Sequence, residues 1–197
     1  MKKKITTKKK QSISKSNAAF EKLSPKNKRI TIAKDVIAQL KSGYLNALSS
    51  NAYVGIDADN ISSEFYGESD NELELKDVFD NEEQCTVCGI GSLFVCAVKR
   101  MDKLKVSKLD GGGVSQSLVH EYLKGFFSIL QLNAIENAFE NYGSPGGNYF
   151  DSIQEYLDTC NDPDNERLKL IMENIVKHDG EFKFSKNYCP RMQLITP

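Results

Sequence analysis

The chain has 197 residues and a mass of 22.1 kDa, of which 40% are hydrophobic and 27% are charged. This length predicts one domain of ordinary size, and the composition excludes a wholly disordered, collagen-like or coiled-coil protein. No segment reaches the ~18 apolar residues of a membrane span, and no apolar region of a secretory signal follows the basic N-terminus. Five cysteines without such a signal are typical of reduced intracellular thiols, so we expect a soluble cytoplasmic protein without a membrane partner.

The net charge of -1 conceals two oppositely charged segments. Residues 1–34 contain twelve basic residues and one acid, Glu21, whereas residues 56–83 contain eleven acids and one base, Lys76. A basic segment and an acidic segment of this kind are suited to contacts within the molecule, between copies, or with separate partners.

The first 25 residues are predicted to form a flexible basic arm, because they contain too few apolar side chains to offset the entropy lost on ordering. A lysine-rich arm attracts phosphate backbones or acidic proteins through long-range electrostatics. It also serves many proteins simply as a solubilising tail. The lysines concerned are Lys2, Lys3, Lys4, Lys8, Lys9 and Lys10.

Hydrophobic periodicity predicts a helix over residues 26–42 that ends at Gly43, followed by a short strand at residues 52–56. The acidic residues that come next predict a long exposed loop that includes a turn of helix. A second helix is predicted from about residue 83 to residue 105 and is apolar on nearly all sides, which indicates a central position in the core. Gly89 and Gly91 within it indicate close approach of another helix.

Capping signals divide the rest of the chain into four further helices. Ser115 begins a helix that reaches about residue 127, and Ser128 begins another that ends before Gly143. The remaining two are predicted at residues 149–157 and from Asp162-Pro163 to about Gly180.

The predicted fold is therefore a mainly α domain of about six helices, with at most a small β element. We expect this helical domain to cover residues 26–184, between the basic arm at residues 1–25 and a C-terminal tail at residues 185–197.

Cys85 and Cys88 form the one pair with the spacing of a metal or redox motif. The pair supplies two of the four ligands of structural zinc, and the other cysteines and histidines do not stand at short ligand spacing. Acidic residues just before Cys85 raise thiol pKa values, which disfavours a redox dithiol. We interpret both cysteines as small core residues and predict no cofactor, and we keep a metal or redox protein centred on them as an alternative.

The sequence contains no nucleophile elbow, P-loop, dinucleotide fingerprint or zincin helix, so it predicts a protein that is not an enzyme. The two histidines, His120 and His178, are interpreted as structural residues, and His178 stands where a helix C-terminus favours a cation.

Four stretches resemble, in the same order, a group of uncharacterised proteins encoded by tailed phages and some bacterial genomes. The similarity spans about residues 28–184, and the stretches are IAKDVIAQ at 32–39, CTVCGIGSLF at 85–94, QLNAIENAFE at 131–140 and ERLKLIMENI at 166–175. The resemblance implies an accessory protein made in the host cytoplasm during infection, of the kind that binds and redirects or inhibits a host factor. It implies no reaction, cofactor or catalytic residue.

The leading hypothesis is thus a non-enzymatic, phage-type accessory protein that binds a host or phage macromolecule, most simply a protein. The predicted contacts are an acidic loop and a basic helix end, namely Glu64, Glu68, Asp70, Glu72, Glu74, Lys99, Arg100 and Lys103. The first alternative is a nucleic-acid-binding protein that uses the lysine-rich arm and the basic patch at residues 99–108.

Overall fold

The computed structural model describes residues 18–49, 53–55, 73–101, 104–106, 114–140 and 157–183. Most of these residues are helical and a few form short strands, which confirms the mainly α class with a small β element. Most of the predicted basic arm, nearly all of the predicted C-terminal tail and nearly all of the predicted helix at 149–157 lie outside the described residues. The domain boundaries stay predictions.

Helix α1, Pro25–Ser42, has the capping residues that its sequence predicts. The Ser24 side chain accepts a hydrogen bond from the Asn27 backbone N–H at 3.3 Å, and Pro25 occupies the first turn, where no N–H is needed. Gly43 ends the helix in a left-handed conformation with φ of 77°. The predicted helix at residues 26–42 is confirmed.

A three-stranded sheet follows, formed by β1 (Leu45–Ala47), β2 (Val54–Gly55) and β4 (Cys85–Val87). The order of the strands in the sheet is β1, β4, β2. Strand β1 pairs with β4 in parallel and β2 pairs with β4 antiparallel. The short strand predicted at residues 52–56 is confirmed by β2.

Two predictions for residues 73–101 are wrong in detail. Cys85–Val87 is strand β4 and not the start of a helix, because it pairs along its whole length with β1, and the long helix α3 is Gly89–Met101. Within the predicted acidic loop, Leu75–Asn81 forms helix α2, since Leu75, Val78 and Phe79 lie on one face and are buried. A second, two-stranded sheet joins β3, Leu73–Glu74, to β5, Lys105–Val106.

Helix α3 lies at the centre of the fold, and all its residues from Gly89 to Val98 are buried. A Cβ atom on Gly91 would lie 1.6 Å from the Tyr53 carbonyl oxygen, and one on Gly89 would lie 2.9 Å from the Phe139 Cβ. The predicted close approach of another helix is confirmed at Gly89. At Gly91 the prediction is wrong about the neighbour, because Tyr53, the residue before β2, makes the close approach there.

The remaining helices are α4, Gln116–Leu123, α5, Ile129–Glu140, and α6, Pro163–Lys177. The predicted extension of α4 to about residue 127 is wrong, because the chain leaves the helix after Leu123 in a turn. Asp162 caps α6 by accepting from the Asn165 N–H at 3.1 Å, which confirms the predicted start. Among the described residues no helix is long and apolar enough to cross a membrane.

Candidate functional site

Four polar side chains from three separate segments meet above the start of α3. Tyr53 precedes β2, Gln116 and His120 lie one turn apart on α4, and Glu136 lies on α5. We call these four residues the polar cluster. The close packing of Tyr53 against Gly91 positions the tyrosine, because its backbone rests directly on α3.

Hydrogen bonds link the members of the polar cluster. The Tyr53 hydroxyl donates to Glu136 Oε1 and accepts from Gln116 Nε2, with an N–O distance of 2.6 Å. The His120 ring packs edge-on against the Tyr53 ring at 5.8 Å, and its Nε2 atom lies 3.8 Å from Glu136 Oε2. Burial and the Glu136 carboxylate raise the pKa of Tyr53, so the phenol stays protonated and acts as a donor.

A second carboxyl group, Glu140, lies one turn after Glu136 on α5. Burial, followed by the charges of Glu136 and Asp164, raises the pKa of Glu140 to about 7, and Arg167 opposes this rise. Arg167 is buried on α6, where its Nη1 donates to the Phe139 carbonyl at 3.2 Å and to Asp164 Oδ1 at 3.1 Å. Glu136, Glu140 and Asp164 thus provide three carboxyl groups close to the guanidinium of Arg167.

The thiols nearest to this region are not activated. Burial raises the pKa of Cys88 to about 12 against the opposing effect of the Gly91 N–H, and the charges of Glu140 and Glu136 raise it further. Burial also raises the pKa of Cys85. Redox and metal-binding cysteines require a stabilised thiolate, which both positions disfavour. The described ranges contain no group of three or more His, Cys, Asp or Glu residues suited to a metal ion.

Two of the predicted partner-binding cations, Lys99 and Arg100, are bound to groups of their own chain. Lys99 Nζ lies 3.2 Å from Asp80 Oδ1 and 3.9 Å from the centre of the Tyr44 ring. Arg100 binds both carboxylate oxygens of Asp35 at 2.6 Å. Their side chains point to acids on different helices, so the structure does not bring them together as one surface.

The other predicted site residues are largely beyond the described part of the chain. Glu74 is exposed in β3, opposite Lys105 of β5. His178 ends α6, and its Nδ1 lies 2.9 Å from the Asn174 carbonyl oxygen, which agrees with a structural role. Those outside the described residues are Glu64, Glu68, Asp70, Glu72, Lys103, and the arm lysines Lys2, Lys3, Lys4, Lys8, Lys9 and Lys10.

Helix α1 presents lysines that the sequence analysis did not select. Lys34 and Lys41 lie two turns apart on its exposed side, opposite the buried Ile32, Ala33 and Val36. The sequence contained the signal, since the spacing of seven residues places both lysines on one side of a helix that was predicted correctly.

The polar cluster was also missed, apart from His120, which was interpreted as structural. Tyr53 and Glu136 are 83 residues apart, and Tyr53 and Gln116 are 63 residues apart, so sequence spacing gives no sign of their contact. The only local signals are the one-turn spacings of Gln116 with His120 and of Glu136 with Glu140.

Comparison with protein-family models gives no match, and comparisons with curated proteins and with solved structures give none either.

Proposed function

We propose that this protein is a non-enzymatic accessory protein of phage type that binds a host or phage macromolecule in the cytoplasm. The observation that carries the proposal is the uneven distribution of charge in the described chain. Residues 18–49 contain six cations and two acids, whereas residues 157–183 contain seven acids and four cations. Surfaces of opposite sign steer an approaching partner and fix its orientation.

The bonding within the polar cluster supports a binding protein over an enzyme. The Tyr53 hydroxyl both donates to Glu136 and accepts from Gln116, so its bonds are used to hold β2 against α4 and α5. The buried thiols have raised pKa values, which leaves them poor nucleophiles at neutral pH.

The acidic loop is the proposed contact for a basic protein partner, and Glu74 is its described member. The test is a pull-down of the tagged protein from producing cells, washed at two salt concentrations. The wild type is compared with a variant in which lysine replaces Glu64, Glu68, Asp70, Glu72 and Glu74. A stoichiometric protein retained by the wild type and lost by the variant supports the proposal. If the wild type and the variant retain equal amounts of the partner protein at low salt, the acidic loop is not the contact surface.

Nucleic-acid binding is the second candidate, and the charge of α1 favours it. This helix begins at Pro25, where the predicted arm ends, and contains five basic residues and one acid. Binding to a phosphate backbone falls steeply as salt rises, because each contact releases counterions. Deleting residues 2–10 is expected to weaken binding and flatten its salt dependence, and a flat response of the wild type contradicts this candidate.

A further inference from the structure

One side of α1 combines exposed cations with small polar residues. Asn27, Thr31, Lys34, Ala38 and Lys41 follow one another at intervals of four and three residues, which places them in one stripe along the helix. Lys34 and Lys41 are exposed, and seven residues of helix separate them by roughly 10 Å. We call these five residues the α1 face.

The positive charge of the α1 face is not neutralised by the acids around it. Asp35 is the one acid of α1, and Arg100 occupies both of its carboxylate oxygens at 2.6 Å. Within the described residues, neither Lys34 nor Lys41 has a carboxylate within ion-pair distance. Both lysines are therefore available to an external anion.

The acids near Lys41 are already engaged elsewhere. Lys41 lines a cavity of about 380 Å³ together with Asp162 and Glu166 at the start of α6. Asp162 accepts hydrogen bonds from Asn165 as the cap of α6, and Glu166 binds Lys169 Nζ at 2.9 Å. The ion pair with Lys169 reduces the attraction of Glu166 for Lys41, whereas the hydrogen bonds to Asp162 come from neutral groups.

We propose that the α1 face binds the phosphate backbone of nucleic acid. This inference rests on the proposed macromolecule-binding function and develops its second candidate, the binding of nucleic acid. It also moves the folded part of the contact from the patch at residues 99–108 to α1, because Lys99 and Arg100 are bound within the chain.

The chemistry of the face favours nucleic acid over an acidic protein. Protein interfaces draw most of their affinity from aromatic, arginine and large apolar anchors, and the α1 face has none of these side chains. Phosphate oxygens are commonly bound by lysine together with small polar side chains such as threonine and asparagine. The α1 face contains lysine, asparagine and threonine, although the Thr31 hydroxyl donates to the Asn27 carbonyl of its own helix at 2.8 Å. It has no aromatic side chain that could stack on a base.

The test measures binding of the full chain to a short mixed-sequence DNA duplex by fluorescence anisotropy, at salt concentrations from about 50 to about 200 mM. The variant Lys34→Gln/Lys41→Gln removes the two charges of the face. The matched control, Lys105→Gln/Lys124→Gln, removes the same charge from β5 and from the end of α4, at exposed positions. Circular dichroism checks that both variants remain folded.

We expect the α1 variant to bind more weakly and to lower the slope of log affinity against log salt by about 2, since each lost phosphate contact removes about 0.9. The control is expected to keep nearly the wild-type slope. Equal slopes for the α1 variant and the wild type overturn the inference, as does an equal effect of the control pair. If the wild type binds no duplex but retains a protein in the pull-down, the inference fails while the proposed function stands.

Discussion

Replacing Gly91 by alanine is expected to destabilise the fold by about 1–3 kcal/mol. The new methyl group would lie 1.6 Å from the Tyr53 carbonyl oxygen, where ordinary contacts begin at 3.4 Å, so the backbone before β2 must move by about 2 Å. Overpacking of this kind costs ~1–3 kcal/mol. The displacement also breaks the hydrogen bond from the Cys88 N–H to the Tyr53 oxygen, at 3.2 Å, worth about 1 kcal/mol.

Alanine also has a higher helix propensity than glycine, which offsets the loss of stability by about 1 kcal/mol at most. The measurement is urea unfolding followed by circular dichroism. The control is Gly125→Ala, where the added Cβ would lie 3.4 Å from the Tyr122 oxygen, and it should change stability by less than ~0.5 kcal/mol. If Gly91→Ala unfolds within about 0.5 kcal/mol of the wild type, the close contact of Tyr53 with α3 is wrong. The position of the polar cluster would then be wrong as well, because Tyr53 is one of its members.

Three further predictions concern charges and thiols. Because the pKa of Glu140 is raised from 4.5 to about 7, the native state binds its proton more tightly than the unfolded state does. The free energy of unfolding should therefore fall as pH rises from 4.5 to about 7. The variant Glu140→Gln should reduce that fall, measured by urea unfolding, by about 1 kcal/mol after discounting for solvent exposure. A double-mutant cycle with Asp35→Asn and Arg100→Met should give a coupling of about 2 kcal/mol, and additive effects would contradict the ion pair. Iodoacetamide at about pH 8 should label Cys160 well before the buried Cys88, as measured by mass spectrometry of peptides. Labelling of Cys88 before Cys160 would refute the burial of Cys88.

The helices that the sequence predicts well are those with complete local signals. Helix α1 has its serine cap, its first-turn proline and its final glycine, all within one segment. Helix α6 begins with Asp162 and Pro163 in the same way. No distant contact is needed to recognise such helices, because the capping residues and the hydrophobic period agree.

Strand β4 was missed because its assignment depends on a partner forty residues earlier. Its three residues run directly into the apolar pattern of α3, so periodicity alone extends the helix backwards through Cys85. Only the parallel pairing with β1, Leu45 with Cys85 and Ala47 with Val87, makes the segment a strand. The polar cluster was hidden for the same reason, since its members are brought together by the packing of β2, α4 and α5 around α3.

The basic residues of α3 and of α1 show why basic residues in a sequence predict a binding surface in some places and not in others. Lys99 and Arg100 end a helix that is buried on nearly every side, so their charges require partners close by, and Asp80 and Asp35 provide them. Helix α1 is buried on one side only, so Lys34 and Lys41 on its other side remain in water without such partners in the described part of the chain, whereas Lys26 pairs with Asp179 at 2.9 Å. The cations at the end of α3 are therefore bound within the fold, whereas α1 keeps exposed lysines at the surface where we propose binding. A basic run in a sequence indicates a docking surface only when the helix that carries it also has an exposed side.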